Sequence, residues 1–228
     1  LFPILGLVLM LLVVVGGESF LYWTLATKGE QAYAAGDFQT ASQYYHWASR
    51  LDPFQKMGER ATESDYQHWM KVGDEALQQR KYDDAITAFA EAQKLLNTRE
   101  IRAKQVDAEY RQLIALGEKY SLKEEYGRAI QHFKKAQKLK NSDEVRKKIA
   151  QVEYMYHYMK AQELLYYDPF AALEELELAA EVIATSDVET LMEEAIMLIV
   201  DDLLYLAEEF LYYGDVENAT DILLEAKR

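Results

Sequence analysis

A chain of 228 residues with only 3 Pro and 10 Gly has few of the breakers that separate the strands of sheet proteins, so an all-α fold is the first expectation. The absence of cysteine excludes disulfides, thiolate zinc sites and thiol nucleophiles. The net charge of −14 is concentrated at one end, where residues 161–228 carry 18 acidic and 2 basic side chains, and this charge disfavours nucleic acid as a partner.

The first 17 residues contain no charged side chain, and apolar residues resume soon afterwards. A helix over residues 1–26 would extend roughly 39 Å at about 1.5 Å per residue, which is enough for a bilayer core and one interface. We therefore predict a transmembrane helix over residues 1–26 in contact with lipid, with a cleaved signal peptide as the alternative. The residues predicted to lie at the membrane interface are Glu18, Phe20, Tyr22 and Trp23.

The segment that follows the predicted span is poor in positive charge, since Lys28 is its only basic residue before Arg50. Few positive charges favour the extracytoplasmic (periplasmic) side of a membrane for the rest of the chain. No proline or glycine-rich linker intervenes between Phe20 and Ala35. We therefore expect one continuous helix to run from the bilayer into the domain that follows.

A set of three residues then recurs along the chain: a small residue, a large apolar or aromatic residue four positions later, and a small residue three positions after that. The best-preserved copy lies between Trp69 and Leu96, where a polar turn near residues 79–82 separates two predicted helices and Gly73 precedes the set. Counterparts of Gly73 are found at Gly29, Gly117, Ala161 and Ala207. The sets are Ala41, Tyr45 and Ala48; Ala85, Phe89 and Ala92; Ala129, Phe133 and Ala136; Ala172, Leu176 and Ala179; and Ala219, Leu223 and Ala226.

These positions resemble the tetratricopeptide repeat (TPR) family, whose helix pairs carry a small residue in the first helix and Ala, Phe and Ala in the second. The resemblance covers residues 22–228 and implies an α-solenoid of about five TPR-like helix hairpins, preceded by the transmembrane helix. The spacing departs from the usual 34 residues, since successive sets lie 44, 44, 43 and 47 residues apart. In that family, a small residue in the first helix lets the second approach closely.

The additional residues of each copy are predicted to lengthen the start of its first helix. A pair consisting of an acidic residue and tyrosine, Asp65-Tyr66, recurs at 44-residue intervals ahead of the small residue. The lengthened helices are expected to begin near residues 57, 99 and 143. The predicted caps are Thr98 and Ser142, and a capping-box pattern is formed by Ser186 and Glu189.

No catalytic, cofactor-binding or metal site is predicted. The four histidines lie in separate copies without a metal-binding spacing, and nucleotide-binding and esterase patterns are absent. The acidic pairs near the C-terminus, such as Asp201-Asp202, occur among many other acids and are interpreted as a solvated face. A lysine-rich stretch between Lys134 and Lys148 is interleaved with acidic residues and does not suggest a nucleic-acid site. We therefore expect a protein that is not an enzyme.

Partner-binding residues are predicted on two grounds. The family's first helices line a concave face, which implies contacts through Met70, Asp74, Leu77, Ile114, Glu118, Ser121, Tyr158, Gln162 and Leu165. Adjacent tyrosines cannot all face a helix core, which adds Tyr212 and Tyr213 as candidate contact residues.

The preferred hypothesis is a membrane-anchored scaffold or adaptor that mediates protein–protein interactions in a larger membrane complex. Its partners would be other subunits of that complex. One alternative is a structural accessory subunit held mainly by its transmembrane helix. Another is a self-assembling homo-oligomer, in which the basic middle of one copy meets the acidic end of the next.

Overall fold

The computed structural model describes residues 2–52 and 56–227, and the side chains of residues 17–52 and 56–227. All regular elements of this described part are α-helices, and they confirm the expected all-α class. They are α1 (Phe2–Ala34), α2 (Phe38–Ser49), α3 (Lys56–Gln78), α4 (Tyr82–Leu95), α5 (Arg99–Ser121), α6 (Tyr126–Leu139), α7 (Asp143–Leu164), α8 (Pro169–Val182), α9 (Ser186–Tyr212) and α10 (Val216–Ala226).

The chain divides into two compact units, residues 1–112 and 113–228, and the division falls inside α5. In the first unit α1 packs on α2, α2 on α3, and α3 on α4. In the second unit the same pattern runs from α6 through α10, each helix packing on the next in sequence. Each unit is therefore a series of helical hairpins in which contacts are made between sequence neighbours.

The turn inside four of the hairpins places one residue in the left-handed region; the fifth hairpin has Gly214 there, with φ of 77°, and the other three residues lie 44 positions apart. Gly36 adopts φ of 73°, Arg80 of 57° and Glu124 of 61°. Only glycine takes this conformation without a steric penalty, so the second and third copies keep the turn at some cost in stability. The fourth hairpin differs because Pro169 begins α8, and the Asp168 carboxylate caps that helix by accepting from the Ala171 amide at 3.0 Å.

The predicted close approach of small and aromatic residues is confirmed in the first three hairpins. A Cβ added to Gly29 would lie 2.7 Å from the Tyr45 ring, and one added to Gly73 would lie 2.3 Å from the Phe89 ring. Both rings are fully buried. In the fourth hairpin Ala161 and Leu176 replace the glycine and the ring, and both are fully buried as well. A larger residue on one helix is thus matched by a smaller one on its partner.

The lengthened first helices begin where the sequence predicts, at Lys56, Arg99 and Asp143. The Ser142 hydroxyl accepts from the Val145 amide at 3.2 Å, and Thr98 makes the equivalent bond to the Ile101 amide. The capping-box prediction for Ser186 is wrong by one residue. Thr185 caps α9 by accepting from the Val188 amide, and Ser186 is already inside the helix.

The first helix is continuous from Phe2 to Ala34, which confirms the expected absence of a break between the N-terminal segment and the first hairpin. Among the residues whose side chains are described, no helix is long and apolar enough to cross a membrane. The predicted span of residues 1–26 falls mostly on residues 1–16, whose side chains lie outside the described part. At the predicted interface the side chains of Glu18, Phe20 and Trp23 are exposed and that of Tyr22 is half-buried.

Candidate protein-binding surfaces

The first three residues predicted to line a groove pack inside the first unit. Met70 is buried in a cluster with Phe89, and Leu77 packs against that cluster. The Asp74 carboxylate accepts from the Lys104 ammonium of α5 at 2.6 Å. Contact between Met70 and a partner protein would therefore require this packing to change.

The remaining predicted groove residues lie in the second unit and differ in exposure. Leu165 is buried, and Tyr158 packs against the same cluster. Ile114 and Ser121 are half-buried. The exposed positions are Glu118, which pairs with Lys148 at 2.6 Å, and Gln162.

A series of ion pairs, which sequence reasoning did not identify, joins α1 to α3, α3 to α5 and α5 to α7. Every pair links the acidic residue directly after the small residue with a base 30 positions further along the chain. Each pair is partly exposed and contributes at most about 1 kcal/mol, but the repetition sets the same register three times. The pairs are Glu30 with Arg60 at 2.8 Å, Asp74 with Lys104 at 2.6 Å, and Glu118 with Lys148 at 2.6 Å.

The recurring acid–tyrosine pair forms a second set of contacts. The Tyr66 hydroxyl lies 3.0 Å from the Thr98 hydroxyl, and the Tyr154 hydroxyl lies 3.1 Å from that of Thr185. Both threonines cap the following first helix, so each tyrosine holds a cap in place. We call each tyrosine–threonine contact a cap latch. The sequence shows the period of these tyrosines, but only the structure shows that each hydroxyl lies beside a threonine about 30 residues later in the chain.

The acid that precedes each of these tyrosines contacts the preceding second helix. Asp65 lies 3.2 Å from a ring nitrogen of His46, and Glu153 accepts from the Lys134 ammonium at 2.7 Å. The additional residues that make this repeat longer than 34 residues therefore carry contacts in both directions along the chain. The acid contacts the second helix that precedes it in the chain, and the tyrosine contacts the cap of the first helix that follows.

A largely enclosed charged cluster is on the α7–α8 hairpin. The Glu175 carboxylate contacts the His157 Nδ1 at 2.7 Å and accepts from the Lys160 ammonium at 2.6 Å, and its side chain is only 12% exposed. Burial alone would raise the pKa of Glu175, but the hydrogen bonds from Lys160 and His157 outweigh it, and the pKa is lowered. This cluster joins two helices and has the geometry of a structural ion pair.

The other histidines make separate local contacts. His132 stacks on Tyr120 with ring centroids 5.2 Å apart, and burial, together with repulsion from Lys135, lowers the pKa of His132. His68 packs edge-on against Trp69. Within the part of the chain whose side chains are described, no group of three or more His, Asp or Glu is arranged to hold a metal ion.

Much of the lysine-rich stretch in the middle of the chain is engaged within the molecule. Lys134 and Lys148 make the contacts already described, and Arg146 pairs with Asp143 and donates to the Asn141 side chain. This basic stretch is thus partly neutralised by acids on its own and on neighbouring helices.

Two pairs of adjacent tyrosines, at the ends of α7 and α9, are exposed. Tyr166 and Tyr167 are 72% and 91% exposed, and Tyr212 and Tyr213 are 84% and 74% exposed. The Tyr166 hydroxyl donates to Glu194 at 2.6 Å, and this bond raises the pKa of Tyr166. The prediction that some of the adjacent tyrosines are exposed is therefore confirmed, and the role of Tyr212 and Tyr213 in contacting a partner stays a prediction.

The fold and these surfaces define an all-α protein built of successive helical hairpins with a periodic buried core. Exposed tyrosines such as Tyr167 and Tyr212 lie in the acidic second unit, and Phe20, Trp23 and Trp47 are exposed in the first. Comparison of the sequence with family models and with curated proteins finds no match.

Proposed function

We propose that the chain is a membrane-anchored scaffold of TPR-like hairpins that mediates protein–protein interactions in the assembly or stabilisation of a larger membrane complex. The single observation that carries the proposal is the exposure of four tyrosines and several aliphatic side chains on the hairpins of the second unit. Large aromatic and aliphatic surfaces of this kind are typical of protein contact sites.

The anchor is supported by the charge-free composition of residues 1–17 and by the continuity of α1. Phe20 and Trp23 extend this apolar character beyond residue 17, and they are 75% and 68% exposed. Exposed aromatic rings beyond an apolar segment are suited to the headgroup region of a bilayer. The same helix contains Gly29, which packs against the Tyr45 ring of α2. The anchor and the first helix of the first hairpin would therefore be one helix.

Two measurements on the full chain test the proposal. The tagged protein should stay with membranes after an alkaline carbonate wash, and a variant lacking residues 1–17 should be released. After extraction in mild detergent and chemical crosslinking, the full chain should purify with other proteins in fixed proportion. Substitution of both Tyr212 and Tyr213 with serine should reduce that proportion. The paired change Tyr44→Ser and Trp47→Ser, on α2 of the first unit, serves as the control.

Three outcomes would contradict the proposal in different ways. Release of the intact chain by carbonate would contradict the proposed membrane anchor. If the protein purifies alone and monodisperse, the proposed scaffold function would be contradicted. Fixed partners that survive the tyrosine changes but are lost with residues 1–17 would instead favour an accessory subunit held by its membrane helix.

A further inference from the structure

Two junctions between successive hairpins of the first unit are joined by a polar side chain of the next first helix. In the junction that follows the first hairpin, the Lys71 ammonium of α3 donates to the Gly36 carbonyl in the turn at 3.2 Å. In the junction that follows the second, the Gln112 side-chain amide of α5 donates to the Asp83 carboxylate at the start of α4 at 2.5 Å. Both contacts tie a hairpin turn to the hairpin that follows it.

The third junction, between the turn of the α5–α6 hairpin and α7, has neither contact. The residues at the equivalent positions differ from their counterparts one or two copies earlier. Within residues 113–227, no hydrogen bond or ion pair joins residues 122–128 to α7. The replacements are Met159 for Lys71, Tyr156 for Gln112 and Gly127 for Asp83.

An open cleft of about 620 Å³ lies at this third junction, inside the second unit. Gly127 faces the Tyr156 ring without a side chain of its own, and a Cβ added there would lie 3.9 Å from Cε2. Helices α8, α9 and α10 follow α7, so the cleft is internal to the series of hairpins. We call it the turn cleft. It is lined by residues 124–128 and by Tyr156, Met159, Lys160 and Glu163 of α7.

The turn cleft contains two carboxylates without a basic partner. Glu124 and Glu163 are exposed and have no ion-pair partner among residues 17–52 and 56–227. The two bases that line the cleft are already engaged with other acids, so the cleft keeps an excess of negative charge. The engaged pairs are Arg128 with Glu125 at 2.5 Å and Lys160 with Glu175 at 2.6 Å.

Two tyrosines and a methionine give the turn cleft apolar walls. Tyr126 and Met159 are half-buried, and Tyr156 is 38% exposed. Burial, together with repulsion from Glu124, raises the pKa of Tyr126, so its hydroxyl is neutral at neutral pH. Aromatic faces beside carboxylates attract an organic cation that carries an alkyl chain.

The first junction shows which group suits this position. There the Lys71 ammonium reaches the backbone carbonyl of Gly36, which is the counterpart of Glu124. Met159 cannot donate such a bond, and Glu124 adds a carboxylate where Gly36 has no side chain. A lysine side chain from outside the chain would supply the ammonium group that this junction lacks.

We propose that the turn cleft binds a lysine side chain of a partner protein. Its methylene groups would lie on Tyr156 and Met159, and its ammonium group would pair with the cleft's two unpaired carboxylates. This inference rests on the proposed scaffold function and names one contact of the partner. A protein is favoured over a free polyamine because Leu122, two residues before Glu124, is 86% exposed and offers apolar contact area beside the cleft.

Methionine-methyl NMR on the purified full chain in mild detergent tests the ammonium site. The probe is N-acetyl-lysine methylamide, and N-acetyl-norleucine methylamide serves as the comparison because its alkyl side chain has no ammonium group. The lysine probe should shift the Met159 methyl signal saturably at millimolar concentration, whereas the norleucine probe should not. Met159→Leu assigns the signal. The Met197 methyl, on a residue that is 62% exposed on acidic α9, is the control signal and should not move.

Removal of the two unpaired charges tests their role. Glu124→Gln combined with Glu163→Gln should weaken binding of the lysine probe at least about fivefold. The matched control is Glu193→Gln combined with Glu209→Gln, two exposed acids on α9, and it should leave binding unchanged. Circular dichroism of each variant establishes that these exposed substitutions leave the helices intact.

The substitution Met159→Lys distinguishes a partner protein from a free polyamine. The introduced side chain would place the chain's own ammonium group in the cleft, as Lys71 does in the first junction. In the crosslinked purification described above, the amount of at least one fixed partner should therefore fall about fivefold. Met197→Lys is the control and should leave that amount unchanged.

Equal shifts with the lysine and norleucine probes would overturn the proposal, as would binding that survives the Glu124 and Glu163 substitutions. Tighter binding of N-acetyl-arginine methylamide would also overturn it. Fixed partners that persist in full with Met159→Lys would contradict the protein source of the lysine and leave the proposed function intact. A chain that purifies without partners in every form would contradict the proposed function, and with it the partner named here.

Discussion

At the scale of single residues, the first three hairpins depend on the absence of a methyl group. The Gly73 Cα faces the Phe89 ring so closely that an added Cβ would lie 2.3 Å from Cε1 and 2.6 Å from Cδ1. Phe89 is fully buried and packs within a dense cluster, so the ring has little room to move. The glycine is therefore retained for packing, even though alanine is the better helix former by about 1 kcal/mol.

The substitution Gly73→Ala should destabilise the protein by about 1–3 kcal/mol, because overpacking against the ring exceeds the gain in helix propensity. Chemical denaturation followed by circular dichroism measures the change. Gly58→Ala is the matched control on the same helix, since a Cβ at Gly58 meets nothing within 4 Å. That variant should be equally stable or slightly more stable.

The fourth hairpin suggests how this clash can be relieved. There the natural pair is Ala161 with Leu176, and both are fully buried. Adding Phe89→Leu to Gly73→Ala should therefore recover part of the lost stability. If the double variant is as unstable as the sum of the two single variants, the contact between these positions does not explain the glycine.

At the scale of elements, each cap latch connects the middle of one first helix to the beginning of the next. Tyr66 reaches Thr98, whose hydroxyl also accepts from the Ile101 amide at 3.2 Å. One threonine side chain therefore serves as a helix cap and as the partner of a buried tyrosine. The two roles are expected to be coupled energetically.

A double-mutant cycle on Tyr66→Phe and Thr98→Ala should give a coupling free energy of about 0.5–1.5 kcal/mol, the range of one net hydrogen bond. Thr98→Ala alone should cost about 1 kcal/mol or more, because it also removes the cap. Tyr154→Phe paired with Thr98→Ala provides the control, because the Tyr154 hydroxyl contacts Thr185 instead of Thr98. Additivity in the Tyr66 cycle would show that the 3.0 Å contact contributes nothing to stability.

At the scale of the whole molecule, charge is distributed unevenly along the chain. Residues 71–160 carry 19 basic and 14 acidic side chains, whereas residues 161–228 carry 2 and 18. Helix α9 alone holds Asp201, Asp202, Glu208 and Glu209 at exposed positions. Repulsion among these carboxylates opposes compact packing of the hairpins that carry them.

Raising the NaCl concentration from about 0.01 M to about 0.15 M should therefore raise the melting temperature at neutral pH. The Debye length falls from about 30 Å to about 8 Å over that range, which screens the repulsion. Thermal unfolding by circular dichroism measures the shift. Near pH 4, where many carboxylates are protonated, the shift should become smaller. A melting temperature that falls with salt would mean that the ion-pair series outweighs the repulsion.

The periodic core was predictable from the sequence because its cause is local and repeated. The alanines and rings at offsets of 4 and 3 predict the hairpins, and the starts of α5 and α7 follow from Thr98 and Ser142. The cap of α9 was missed because Thr185 and Ser186 are both good caps and only the helix register separates them.

The surface contacts were not predictable in the same way. Asp74 and Lys104 are ordinary surface residues in the sequence, and only the packing of α5 beside α3 brings them together. Met70 was expected to line a groove, but it is buried in the cluster that contains Ile101 of α5. The lengthened first helix was predicted, but the groove prediction did not take into account that the start of α5 would pack over Met70.

The continuity of α1 has a geometric consequence for anything attached near its beginning. Gly29 is held at a fixed rotation about the helix axis, because its Cα faces the Tyr45 ring. Each earlier residue then has a defined azimuth, advancing by about 100° per position. An insertion of one residue between Glu18 and Gly29 would rotate the preceding face by that angle and displace it by about 1.5 Å. An insertion of seven residues would restore the azimuth to within about 20° and change only the distance.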